Sequence, residues 1–221
     1  ALPIYETERM VFMRLLSNDE MKQVEQYTAK YGLSYQRMME NAGAACARNI
    51  RNIVENENMT RRNAVIVCGK GNNGGDGYAL AGILADHDVK VTGFRTSGKF
   101  SDDGSYYYKN AKIKEIDDKL FDSETNFSDY DIIVDCILGT GFCGEPKGVA
   151  ADAIRKINEA GKFVVSADIN SGLCGDTGKA TLAVKSDLTV SIGFYKKGMF
   201  VGNAPEYIGE LTNVDIGIKL V

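Results

Sequence analysis

Nowhere in the 221 residues does an apolar stretch approach the roughly 18 residues that a membrane-spanning helix needs. The opening ALPIYETERM also lacks the basic stretch and long apolar core of a secretion signal, so a cytoplasmic location is expected. Basic residues are not in excess. With 26 Lys and Arg against 30 Asp and Glu the formal charge is −4, which argues against a large nucleic-acid-binding surface. Five cysteines (Cys46, Cys68, Cys136, Cys143, Cys174) include no C-x-x-C pair, and the first three fall in helix or strand patterns. Reduced thiols are therefore expected. The lone His87, in the polar connection Asp86-His87-Asp88, reads as a solvated turn residue. No linker divides the chain, and 44% hydrophobic with 25% charged residues suits one core, so residues 1–221 read as one domain. Residues 1–12 stand apart from the more ordinary run that Met13 opens. They read either as an expression leftover or as a native extension.

What the chain does have is three Gly-rich loops, GKGNNGGDG at 69–77, GTGFCGE at 139–145 and NSGLCGDTG at 170–178. Each follows a strand-like run, at 64–68, 132–136 and 163–167, rich in the β-branched residues that favour buried parallel strands. Helix-length stretches at 78–86 and 150–160 lie between them. Further strands are expected at 89–94, 112–116 and 188–192, with a last one near 210–216. Numbered one to six from Ala64, in the common order 3-2-1-4-5-6, they place the loops after strands one, four and five together at the topological switch point. Ahead of strand one, Ser17 and Glu20 form a capping-box signature for a helix running to about Lys30 and ended by Gly32. A second helix is expected from about Ser34 to Glu55. The expected fold is a three-layer α/β/α Rossmann-like doubly wound, mostly parallel sheet with an N-terminal helical pair.

Gly69-x-Gly71-x-x-Gly74 matches the dinucleotide fingerprint. The strand-two end Gly93-Phe94-Arg95-Thr96 nevertheless lacks the acidic residue that holds a ribose. Either Arg95 meets an extra phosphate or the loop holds its ligand differently. The run Asn72 to Asp76 offers amides, a carboxylate and backbone N–H donors at a helix N-terminus, a cradle for phosphate or ribose oxygens. Asp76 alone reads equally well as a helix N-cap. Asp135, inside an apolar run, needs a partner or a cation, or serves as acceptor for a neighbouring loop's N–H groups. Asp168 ends strand five, and two carboxylates on adjacent strand ends can be driven apart in pKa so that one serves as acid or base.

The motifs G-x-G-N-N-G-G-D-G, D-x-x-x-G-T-G at 135–141 and A-D-I-x-S-G at 167–172 resemble the YjeF N-terminal domain family over nearly the whole chain. Met39 to Gly43 and Phe194 to Gly198 fit the same pattern. The resemblance implies an NAD(P)HX epimerase, interconverting the R and S forms of hydrated NADH and NADPH for a dehydratase that restores the cofactor. It implies substrate binding by Asn72, Asn73, Gly74, Gly75 and Asp76, by Gly139, Thr140, Gly141, Phe142, Cys143, Gly144 and Glu145, and by Asp168. It also implies K+, one per subunit, on Asn73, Asp135 and Ser171, whose oxygens suit a hard monovalent cation better than zinc. Asp168 is the expected catalytic acid, turning base toward water. A homodimer is implied too. As the chain ends at Val221, the dehydratase is expected to be encoded separately or to have been cut away. Where the family reads proline, Asn170 stands here, and a looser loop is expected. Rival readings are a non-catalytic nucleotide-binding or scaffold protein on the same domain, and a nucleotide-dependent transferase.

Overall fold

The computed structural model describes residues 14–56, 59, 62–87 and 89–219, so the reading of residues 1–12 lies outside the described residues. In chain order the elements are β1 (Leu15–Leu16), α1 (Asn18–Lys30), α2 (Tyr35–Asn56), β2 (Asn63–Cys68), α3 (Asn72–Leu84), β3 (Lys90–Arg95) and α4 (Asp102–Ile113). There follow β4 (Asp117–Leu120), β5 (Ile132–Cys136), α5 (Val149–Glu159), β6 (Phe163–Ala167), β7 (Leu188–Ile192), β8 (Tyr195–Lys196) and β9 (Glu210–Val214). Seven strands form one sheet in the order β4-β3-β2-β5-β6-β7-β9, every pairing parallel. Its first six positions follow the order expected from sequence, and β9 adds the far edge. A separate parallel pair joins β1 to β8, with Leu16 opposite Lys196.

Alternation along the central strands builds the three layers. In β2, Ala64, Ile66 and Cys68 join a core with Met38, Cys46 and Ile50 of α2 and Leu80 and Leu84 of α3. Val65 and Val67 point the other way, into a core with Ile154 and Ile157 of α5 and Phe94, Phe121 and Phe127. Because both faces are covered, β5 is buried along its whole length, Asp135 included.

Three sequence expectations shift. The strand expected at 112–116 lies instead at β4, after a helix that Ser101 caps by accepting from the Gly104 N–H. Polar Asp117-Asp118-Lys119-Leu120 carries little strand propensity; pairing with β3 makes it a strand, and its charges suit an edge. The helix expected from Tyr78 starts six residues earlier, inside the Gly-rich motif. Its glycines are needed for packing rather than for turning. A Cβ on Gly75 would sit 2.6 Å from Met39 Sδ, and one on Gly77 would sit 2.8 Å from Cys68 Sγ and 2.9 Å from Cys136 Cβ. Finally, Cys143 and Cys174 are joined as a disulfide, leaving Cys46, Cys68 and Cys136 as buried free thiols. The bonded pair lies in loops whose meeting depends on strand order, invisible to a one-dimensional reading.

Gly77→Ala is expected to destabilise the fold by about 1–3 kcal/mol, since the contacting atoms belong to two central strands with no room to withdraw. A urea midpoint equal to that of the unchanged protein would show that α3 can move away from the sheet.

Candidate functional site

The loops after β2, β5 and β6 converge at one end of the sheet, and with α1 and α2 they enclose a cavity of about 1180 Å³. Its lining includes Asn72, Asn73 and Asp76 from the first loop, Gly139 to Cys143 from the second, and Asp168 from the third. Gly139 permits the convergence, because a Cβ there would lie 3.1 Å from Asp168 Oδ2 and 3.2 Å from Asn73 Cβ. Of the other residues singled out from sequence, Gly74 and Gly75 are packed inside α3 and do not line the cavity. Gly144 and Glu145 are exposed beyond its lining. Asp135 and Ser171 are fully buried beneath the cavity.

Asp135 locks two of the loops together. Its Oδ2 accepts from the Ser171 N–H (2.9 Å) and the Ser166 hydroxyl (3.0 Å), and its Oδ1 accepts from the Ile137 N–H (3.2 Å) and the Ser171 hydroxyl (2.5 Å). Ser171 Oγ in turn accepts from the Leu138 N–H at 2.8 Å. Burial pushes the Asp135 pKa up, and these hydrogen bonds oppose it. Asn73 is buried with neither its Oδ1 nor its Nδ2 satisfied by a protein partner among the described residues.

Asp168 sits at φ +70°, a conformation that Asp tolerates better than most residues. Its Oδ1 pairs with Lys196 Nζ at 2.5 Å, and its Oδ2 accepts from the Thr140 N–H at 3.2 Å. The Lys196 side chain is wholly buried, and its ammonium also donates to the Ile192 carbonyl (3.0 Å) and the Ser191 hydroxyl (3.3 Å). The sequence showed Lys196 only as part of a matching segment; its role depends on β8 returning beside β1.

Glu25 of α1 was also missed. It shares a helix face with buried Met21, Val24 and Thr28, so a carboxylate interrupting that apolar stripe was the available signal. Burial, then the Asp168 charge, raise the Glu25 pKa to about 7 against the pull of Lys196. Asp76, half-buried, is pushed well above the usual carboxylate range by burial, Asp168 and Glu25, again opposed by Lys196. Three carboxyl groups thus surround one ammonium.

Two loop residues have buried partners that the sequence did not show. Asn170 does not loosen its loop: its buried Nδ2 lies within 3.0 Å of the Val184 carbonyl, Ser186 hydroxyl and Tyr207 carbonyl, and its Oδ1 accepts from Thr189 at 2.7 Å. Arg95 is held at 3.0 Å by Asp118, which also accepts from the Tyr78 hydroxyl, so Thr96 and Ser97 line the cavity there instead. His87 is exposed and outside the cavity, as its turn-like surroundings suggest. No helix among the described residues is long and apolar enough to cross a membrane.

A family model described as the YjeF-related protein N-terminus matches residues 35–198. An NAD(P)H-hydrate epimerase of Pirellula staleyi is 36% identical over 86% of this chain and 86% of its own length. One from Elusimicrobium minutum is 32% identical over 93% and 96%. A bifunctional NAD(P)H-hydrate repair enzyme of Thermofilum pendens is 34% identical over 90% of this chain but only 39% of its own length. Among solved structures, yeast ynu0 (YNL200c) aligns over 91% of this chain and 87% of its own with a TM-score of 0.75 at 18% identity, a likeness of fold.

Lys196→Met is expected to cost about 3–5 kcal/mol, because it leaves Asp168 without its counter-charge; thermal unfolding reads this directly. Glu25→Gln should do the reverse in a pH-dependent way. A carboxyl whose folded pKa exceeds its unfolded one costs stability as pH rises from about 4.5 to 7 and keeps that cost above it. Discounted for partial exposure, the variant should gain about 1 kcal/mol at pH 8 and nothing at pH 4. Equal gains at both pH values would refute the cause given for the shift.

Proposed function

The chain belongs to the YjeF-related N-terminal family, and from that premise we propose that it is an NAD(P)H-hydrate epimerase, interconverting R and S hydrates of NADH and NADPH. The observation that carries the reading is the cavity: three Gly-rich loop walls, size enough for a dinucleotide, and a charged Asp168 at its floor. Asn72, Asn73 and Asp76 hold the nucleotide from one side and Gly139 to Cys143 from the other, with N–H groups at the start of α3 available to phosphate oxygens. Asp168 is the group that moves a proton at the hydrated ring carbon. Thr140 and Lys196 fix its two oxygens, so it meets the substrate in one orientation.

The residues beneath the cavity fit a potassium ion. Asn73 Oδ1 has no hydrogen-bond partner among the described residues, and Asp135, Ser171 and the Leu138 carbonyl, 3.2 Å from Ser171 Oγ, supply further hard oxygens. When bound, K+ offsets buried negative charge and fixes the loops against each other. We further read residues 1–221 as one domain that acts as a homodimer in the cytoplasm. It feeds a dehydratase on a separate chain or a fused domain, a reading supported by the Thermofilum pendens relative, which is named bifunctional and of whose length this chain covers 39%.

Mixing R-NADHX with an S-specific dehydratase in potassium buffer should regenerate NADH faster in the presence of this protein than by spontaneous epimerisation. Asp168→Asn should lower that rate by about 10²–10⁴-fold. Nucleotide binding with no acceleration would move the protein to the scaffold class.

A further inference from the structure

Inverting a carbon that bears a hydroxyl group sets a stereochemical demand. The hydroxyl departs from one face of the ring and water returns to the other, so a single carboxyl group held in one place serves only one face. Asp168 is held in place by Lys196 and Thr140. The structure also fixes which charge it carries, since a wholly buried ammonium needs the carboxylate beside it. That form accepts a proton; it has none to give. The acid must come from elsewhere in the cavity.

We propose that Glu25 is the second catalytic residue, donating the proton to the departing hydroxyl while Asp168 takes one from the incoming water. The proposal rests on the epimerase reading above. Glu25 lines the same cavity as Asp168 but from a different wall, projecting from α1, whereas Asp168 lies on the loop after β6. Among the described residues its side chain has no hydrogen bond and no salt bridge, whereas Glu20 of the same helix is taken up by Ser17 and by Lys197 at 2.7 Å. That bridge matters for position. It ties the start of α1 to the residue after Lys196, and the Asn18 N–H, which donates to Asp176 at 2.7 Å, ties it to the loop after β6.

The charged and titratable groups in the surroundings of Glu25 are Asp168, Lys196, Asp76 of α3, Tyr35 of α2 and Lys22 of α1 itself. Burial, and after it the Asp168 charge, keep the proton on Glu25 up to about pH 7 against the pull of Lys196, near where an acid works best. The step balances without any oxidant. The Glu25 proton goes to the hydroxyl oxygen, the C–O bond breaks, and the ring nitrogen lone pair forms a C=N bond as water leaves. Water then bonds to the same carbon from the other face, the C=N pair returns to nitrogen, and the water's proton passes to Asp168. Run backwards, the same two groups convert the other epimer, and exchange with solvent resets the protons.

The test is the pH dependence of the dehydratase-coupled rate for the unchanged protein, Glu25→Gln and Glu25→Asp, with R-NADHX as substrate. The unchanged protein should lose activity as pH rises through about 7. Glu25→Gln should lose about 100-fold in kcat with KM within threefold, and its alkaline limb should vanish; Glu25→Asp should restore part of both. A Glu25→Gln protein with the alkaline limb intact overturns the proposal whatever its rate, because a merely structural carboxyl would not carry that limb. Circular dichroism of the variant checks that it is folded. An unchanged protein that fails to accelerate epimerisation removes the epimerase reading and this proposal together, whereas an active one with an unaffected variant removes the proposal alone.

Discussion

The site is organised around one ion pair. Lys196 is entirely withdrawn from water, a state that costs several kcal/mol unless a carboxylate and further acceptors replace the lost hydration. Asp168, the Ile192 carbonyl and the Ser191 hydroxyl together make that replacement. From this follow the left-handed backbone of Asp168, which turns the carboxylate inward, and the anchoring of its second oxygen by Thr140. The pair also bears on the charge states of its neighbours. Burial first, and then the negative charge of Asp168, make Glu25 and Asp76 hold their protons more tightly than free carboxyl groups do, against the pull of Lys196.

A second buried carboxylate does mechanical work. Asp135 lies on a central strand and accepts four hydrogen bonds, two of them from Ser171 of the next loop. Because Ser171 also receives the Leu138 N–H, the walls after β5 and β6 form one hydrogen-bonded body. Asn170 extends it toward β7 through Thr189 and toward Tyr207, so a residue that in sequence reads as loosening its loop ties that loop to its neighbours in the fold.

What could be read from the chain, and what could not, divides along the range of the forces involved. Strands β2, β5, β6 and β7 are continuous apolar runs whose own side chains demand burial, and their order is the common doubly wound one expected for such runs. Strand β4 has no such run and exists through its pairing with β3. The first and second loops were legible because glycines at close approaches leave a spacing pattern. Lys196 leaves none and Glu25 only a break in an apolar helix stripe: a lysine in a short β8 and a glutamate in an N-terminal helix look solvated until the topology brings them near Asp168. The same applies to Cys143 and Cys174, which lie 31 residues apart along the chain and are bonded across two loops.

That bond ties the loop carrying Gly139 to Cys143 to the one that follows Asp168, and Cys143 itself lines the cavity. Thermodynamic linkage then runs both ways. If a nucleotide binds the oxidised form more tightly by some factor, its presence favours the disulfide over the dithiol by that same factor and lowers the reduction potential of the pair; reduction then weakens nucleotide binding equally. The reduction potential of the pair and the occupancy of the cavity are in that case two readings of one equilibrium.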